Sequence, residues 1–191
     1  METRIIKIHG CSGAGKTTVV RRLMREGVTK KVFDPNTNKV EGYSIDFPTV
    51  PEQIYVLGNY SNSCGGMDTV NSASKAMELV HAYSKCGHVI HEGLLQSTYY
   101  GAMGTDSHQY GNRYVYAFLD TPIDLCIERV IARREEQGST NKFNPQLTRD
   151  KHRTILRLRE RLLREGLHVV VDIRHDISTN SQIEEILNEV P

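Results

Sequence analysis

Residues 10–17 read GCSGAGKT, and the interpretation of this octapeptide decides the fold. It meets G-x-x-x-x-G-K-[ST] at every fixed position, through Gly10, Gly15, Lys16 and Thr17. The flanking context is the one the motif needs. RIIKIH precedes it, with Ile6 and Ile8 on one face of a predicted strand. Val19, Val20, Leu23 and Met24 follow at helical spacing until Gly27 supplies a stop. Glycines let backbone N–H groups turn toward an anion, and the start of a helix adds its partial positive charge. Over Gly10, Cys11, Ser12, Gly13, Ala14, Gly15, Lys16, Thr17 and Thr18 the expectation is a cradle for ATP. Lys16 would reach the β- and γ-phosphates, and the Thr17 hydroxyl would ligate Mg²⁺.

Working outward, 191 residues with 38% hydrophobic and 25% charged side chains describe one ordinary globular domain, 1–191. No apolar run approaches a membrane span and METRIIKIHG lacks a signal-peptide pattern, so a cytoplasmic protein is expected. Cys11, Cys64, Cys86 and Cys126 have no paired spacing, which suits free thiols rather than a disulfide framework. The net charge is only +1, yet Arg149 to Arg164 holds seven Lys/Arg against two acids. That local +5 leaves −4 on the remainder.

Strand and helix patterns alternate along the chain. Two short strands flank the turn DPNTN, and the second ends on Asp46. Residues 47–68 are rich in Pro, Gly, Asn and Tyr, too irregular for a core element and long for an idle connection. A helix is predicted from Asp68 to Gly87, a strand at HVIH closing on Glu92, and a short helix at LLQSTYYGAM. A strand at RYVYAFLD, a helix opening at Pro122, a long basic helix from Thr148, a strand at LHVVVD and a last helix at SQIEEILNEV complete the series. Alternation of this kind implies an α/β fold with a mainly parallel sheet covered on both faces. Asp46, Glu92, Asp120 and Asp172 all end predicted strands, and ligands of open α/β sheets sit at that edge.

Transfer of a phosphoryl group asks for metal coordination, activation of the acceptor hydroxyl and cations around the moving group. Glu92 is the candidate for the metal side and Asp46 for the general base, although spacing alone lets the two exchange roles. Arg129 and Arg133 share a helix face with Arg134 beside them, placed to fold over phosphates. Phe47, Asn59, Tyr60, Gly65, Gly66 and Asp68 mark the expected acceptor loop. There Gly65-Gly66 permits close backbone approach and Tyr60 offers a ring for stacking on a base. Asp68 reads equally as the N-cap of the next helix, and Asp120 as a cap for the helix at Pro122. In the basic helix Arg149, Arg153, Arg157, Arg161 and Arg164 recur on one face, opposite Ile155, Leu158 and Leu162. This is either a solvated face or a rail for a nucleic-acid backbone.

With these residues in view, the chain resembles the small P-loop kinases of the nucleoside monophosphate kinase-like group. The resemblance is carried by GCSGAGKT, HEG and the arginine helix after LDTP. It implies a three-layer α/β/α fold with a five-stranded parallel sheet, ATP and Mg²⁺ as donor, and a helical lid over residues 129–145. YVLGNYSNSCGGMDTV and FLDTPIDLCIERVIARR resemble more specifically the phage kinases of 5-hydroxymethyluracil in DNA. That resemblance implies DNA containing 5-hydroxymethyluracil as the partner, inside an infected bacterial host. Asp46 would then deprotonate the hydroxymethyl oxygen, and Arg153 and Arg157 would hold the strand. Two rivals stand beside it: a kinase of free nucleosides or nucleoside monophosphates, and a non-enzymatic ATP-binding switch.

Overall fold

Strand β1 (Ile5–His9) is buried along its whole length because it runs down the middle of the sheet, parallel to a neighbour on each side. The computed structural model describes residues 3–61, 65–70, 72–93, 107–174 and 179–188. After β1 the chain forms α1 (Lys16–Glu26), β2 (Val28–Phe33), β3 (Val40–Asp46) and β4 (Ile54–Leu57). Next come a 3₁₀ turn (Gly66–Thr69), α2 (Ala73–Tyr83), β5 (His88–Glu92), a second 3₁₀ segment (His108–Arg113) and β6 (Tyr114–Leu119). Helices α3 (Ile123–Glu136) and α4 (Pro145–Glu165), strand β7 (Val169–Ile173) and α5 (Thr179–Asn188) complete it.

The strands form one sheet in the order β2-β3-β4-β5-β1-β6-β7. The fold is thus α/β with a mostly parallel mixed sheet, and its seven strands correct the expected five. The run β4-β5-β1-β6-β7 is parallel throughout, while β2–β3 is an antiparallel hairpin and β3 also pairs antiparallel with β4. Strand β4 lies inside the stretch read as irregular. Its four residues IYVL show no alternation because both faces are covered, leaving a short apolar run between Pro51 and Gly58. The short helix expected at LLQSTYYGAM lies outside the described residues.

Helix boundaries follow their chemistry. Val19, Val20 and Leu23 bury the inner face of α1, and the Gly27 N–H closes its end on the Leu23 carbonyl at 3.1 Å. The N-cap of α2 is Ser72, whose hydroxyl accepts from the Lys75 N–H at 3.1 Å, so Asp68 is not the cap. No side chain caps α3, whose N-cap position is Pro122 rather than Asp120. Helix α4 begins earlier than expected, with Asn144 capping it, Pro145 in the first turn and Gly166 in the left-handed conformation at its end.

One face of the central strands carries polar and aromatic groups instead of aliphatics. Lys7 on β1 is level with Tyr116 on β6 and His91 on β5, and its ammonium lies 6.0 Å from the Tyr116 ring centre. Burial pulls the Lys7 ammonium down from its ordinary 10.5 to about 7. Between about pH 7 and pH 10.5 the unfolded chain therefore binds a proton that the folded one releases, so Lys7 makes stability rise with pH across that window. Below pH 7 both states are charged and the penalty of the buried ammonium is complete. Lys7→Met is accordingly expected to stabilise the fold at pH 7, by about 1–3 kcal/mol, with the gain shrinking toward pH 10. Denaturant unfolding of both proteins at pH 7 and pH 9.5 measures it, and a gain independent of pH would contradict it.

Candidate active site

The loop between β1 and α1 turns through two left-handed glycines, Gly13 at φ +83° and Gly15 at φ +102°. A β-carbon on Gly13 would stand 2.1 Å from the Cys126 carbonyl oxygen, so the loop lies flat against α3 and only glycine fits there. No side chain caps α1 and no acid sits in its first turn, which leaves the positive end of the helix directed at the loop. The Lys16 ammonium folds back onto the carbonyls of Gly10 (2.8 Å) and Cys11 (3.2 Å). Burial lowers its pKa, while Glu92, Cys11 and Asp68 pull it the other way.

Glu92 ends β5 beside Ile8, the penultimate residue of β1, which brings its carboxylate to the loop. The Thr17 hydroxyl donates to Glu92 Oε1 at 2.9 Å. Burial raises the Glu92 carboxyl above its usual range, with Lys16 and the Thr17 hydroxyl opposing that shift. A hydroxyl and a strained-to-ionise carboxylate side by side are hard oxygen donors suited to Mg²⁺, which keeps waters and takes one or two protein ligands plus phosphate oxygens. Thr17 and Glu92 thus fit the ion expected with a triphosphate.

The segment 65–68 closes over this pair from the other side. Gly66 has φ +77°, and a β-carbon there would meet the Glu92 backbone oxygen at 2.5 Å and Oε1 at 2.6 Å. Asp68 is exposed in the following 3₁₀ turn, and its Oδ1 would lie 2.9 Å from a β-carbon on Gly93. It is close enough for its charge to bear on both Lys16 and Glu92. Behind it Tyr60 is only 5% exposed, edge-on to Tyr43 at 6.0 Å between ring centres. A ring so enclosed has no face for a base, so the stacking role expected of Tyr60 does not fit. Asn59 is likewise a loop builder: its Oδ1 accepts from the Ser61 N–H at 2.9 Å and its own N–H meets the Thr69 hydroxyl at 3.1 Å.

Lys16, Thr17, Glu92, Gly65 and Asp68 line one cleft of about 660 Å³, bounded by Ser12 to Val19 on its floor. Arg21 and Arg22 of α1, Gly65 and Asp68 of the segment before α2, Glu92 and Leu119 at the ends of β5 and β6, and Arg129, Arg133, Glu136 and Gln137 from the second half of α3 and its cap complete the lining. Its lining holds five cationic and three acidic side chains, a positive basin in a nearly neutral protein. Arg129 leans over the loop, its Nη1 donating to the Gly13 carbonyl at 3.3 Å. Arg134 points elsewhere, bonded to the Asn141 carbonyl and lying over the Phe143 ring at 5.9 Å.

Sequence reading missed Arg21 and Arg22. They sit one turn after Thr17 and Thr18 on α1, and the spacing four residues from a predicted phosphate ligand was the available signal. Arg21 Nη2 donates to the Tyr60 carbonyl at 3.1 Å, tying α1 to the loop that carries Asp68.

Asp46, Phe47, Arg153 and Arg157, all expected at the site, also lie away from the cleft. Asp46 ends a strand, but β3 is antiparallel to β4, so Ile45 pairs with Ile54 and Ile54 in turn with His88 at the start of β5. Asp46 is therefore level with the opposite edge of the sheet. Four residues of β5 separate that level from Glu92, about 13 Å at 3.3 Å per residue. It faces solvent 4.0 Å from the Lys30 ammonium. A base must approach its proton within hydrogen-bond reach, which excludes Asp46. Phe47 follows it into the core beneath the C-terminal end of α1. Arg153 pairs with Asp150 at 3.3 Å, and neither it nor Arg157 lines the cleft. The rail is largely neutralised where it stands, since Arg149 also pairs with Asp124 (2.8 Å) and Arg161 with Glu165 (2.7 Å). Asp172 is engaged by both ends of the Arg159 guanidinium.

No family model matches the chain. It is similar to three curated proteins, each a 5-hmdU DNA kinase of a phage. That of Pseudomonas phage M6 is 31% identical over 171 residues, spanning 85% of this chain and 87% of its own. That of Pseudomonas phage PaMx11 is 32% identical over 173 residues, 87% and 89% of the two chains. That of Delftia phage PhiW-14 is 23% identical over 203 aligned positions, covering 98% of this chain and 74% of its own.

Proposed function

The chain belongs to the 5-hmdU DNA kinase family of phages, and on that premise we propose that it is a phosphotransferase moving the γ-phosphate of ATP onto the hydroxymethyl oxygen of 5-hydroxymethyluracil in DNA. The observation that carries the chemistry is the cluster Lys16, Thr17 and Glu92 sharing one cationic cleft with Asp68. In this reading the glycine loop is a P-loop. Its N–H groups and Lys16, released from the Gly10 and Cys11 carbonyls, hold the β- and γ-phosphates. Thr17 and Glu92 would hold Mg²⁺, which would supply neutralisation of phosphate charge. Asp68 takes the proton of the acceptor hydroxyl as the new O–P bond forms and the bond from phosphorus to the bridging oxygen of ADP breaks. Arg129 and Arg133 neutralise the charge of the transferring group, and the segment 129–145 closes over the donor.

Asp68 replaces Asp46 as the proposed base because, of the two cleft acids that do not accept from Thr17, it stands beside Gly93 with its charge bearing on Lys16 and Glu92, whereas Glu136 sits at the far end of α3. The assignment is tested by incubating the protein with γ-labelled ATP and DNA containing 5-hydroxymethyluracil, with thymine DNA as control. Label is expected on the modified strand alone, and its absence would overturn the proposal. Competition by free 5-hydroxymethyl-2′-deoxyuridine monophosphate separates a DNA kinase from a monomer kinase, which would be indifferent to polymer length.

A further inference from the structure

Arg21 and Arg22 are cations of the cleft that the transfer chemistry does not use. They line the same cleft as Gly65, Asp68, Arg129 and Arg133. Four arginines around one cleft exceed what a single triphosphate asks for. Arg21 is held in place by the Tyr60 carbonyl at 3.1 Å. Arg22 is half-buried, and among the described residues no hydrogen bond or ion pair engages it.

We infer that Arg21 and Arg22 form a subsite for a backbone phosphodiester of the acceptor strand, with Arg22 as its principal contact. The inference rests on the reading of the acceptor as a nucleotide in DNA and adds which residues grip its backbone. Helical rise puts Arg21 and Arg22 about 6 to 8 Å along α1 from Thr17. That span is comparable with the one between the 5-substituent of a pyrimidine nucleotide and the phosphate on its own 5′ carbon. A nucleotide whose hydroxymethyl oxygen reaches Asp68 and the metal side of the cleft then lays that phosphate along α1. Guanidinium groups suit the task because they offer paired donors to phosphate oxygens. The alternative grip, the arginine face of α4, has acids paired to Arg149, Arg153 and Arg161 and lies outside the cleft.

The test is Arg22→Ala on the full chain, which replaces a half-buried side chain by that of a strong helix former. Phosphoryl transfer is measured on a 5-hydroxymethyluracil oligonucleotide, on the 5′ monophosphate and on the phosphate-free nucleoside. DNA binding is measured against salt without ATP. The variant is expected to raise KM for the oligonucleotide and the monophosphate about tenfold, leave that for the nucleoside in place, and lower the salt slope of DNA binding by about one. Equal effects on all three acceptors, an unchanged salt slope, or a rise confined to the KM for ATP would overturn the inference. Absence of transfer by the unmodified protein would instead overturn the proposed function, while the salt slope would still report on the phosphate contact.

Discussion

Asp68→Asn is expected to slow phosphoryl transfer by about 10²–10⁴-fold while Asp46→Asn leaves it within about twofold. The contrast follows from which edge of the sheet each acid occupies. Asp68 stands on the wall of the cleft beside Gly93, within electrostatic reach of Lys16 and Glu92. Asp46 lies at the opposite edge, paired loosely with Lys30. Asparagine keeps the shape of the side chain against Gly93 and removes only its capacity to accept a proton. Single-turnover measurement at saturating ATP and modified DNA isolates the chemical step from product release. Glu92→Gln is the informative companion. It should raise the Mg²⁺ concentration needed for half-maximal rate, because the Thr17–Glu92 pair is where the ion fits. Asp68→Asn should leave that concentration in place. If Asp68→Asn transfers at the normal rate, Asp68 is not the base.

The pair Asp46 and Asp68 also shows where sequence reading stops. GCSGAGKT, its strand and its helix were legible because each requirement is local: a left-handed turn, a helix start, a lysine and a hydroxyl at fixed offsets. Glu92 was legible because it ends an apolar strand that follows a helix, the local pattern of a parallel crossover, and β5 does run parallel to both β4 and β1. Asp46 has the same local signature, yet a hairpin precedes it, and direction in the sheet is decided by pairing partners that local pattern does not name. Tyr60 misleads for a related reason. An aromatic among Asn, Gly and Ser looks exposed until β4 is recognised, and then the loop after it folds over Tyr43. The arginine periodicity of α4 was correct, but Asp124, which pairs with Arg149, comes from another helix 25 residues away.

Gly66→Ala is expected to lower the unfolding free energy by about 2–4 kcal/mol and to reduce transfer on the order of 10²-fold. Two separable penalties act at this position. The first is conformational: φ is +77°, which an alanine adopts at about 1–2 kcal/mol. The second is steric: the new methyl would sit 2.5 Å from the Glu92 backbone oxygen and 2.6 Å from its carboxylate. Neither neighbour yields cheaply, since the backbone oxygen belongs to the buried end of β5 and the carboxylate to the Thr17 pair. Gly166→Ala supplies the control. Gly166 has φ +61° with nothing within 4 Å of the added methyl, so it carries the conformational penalty alone. The excess destabilisation of Gly66→Ala over Gly166→Ala measures the contact with Glu92. An accompanying rise in the Mg²⁺ requirement shows that the carboxylate has been pushed off Thr17. Equal destabilisation of the two variants with transfer intact would mean that the 65–68 segment can withdraw from Glu92, and Asp68 with it, which would remove the basis for placing the acceptor there.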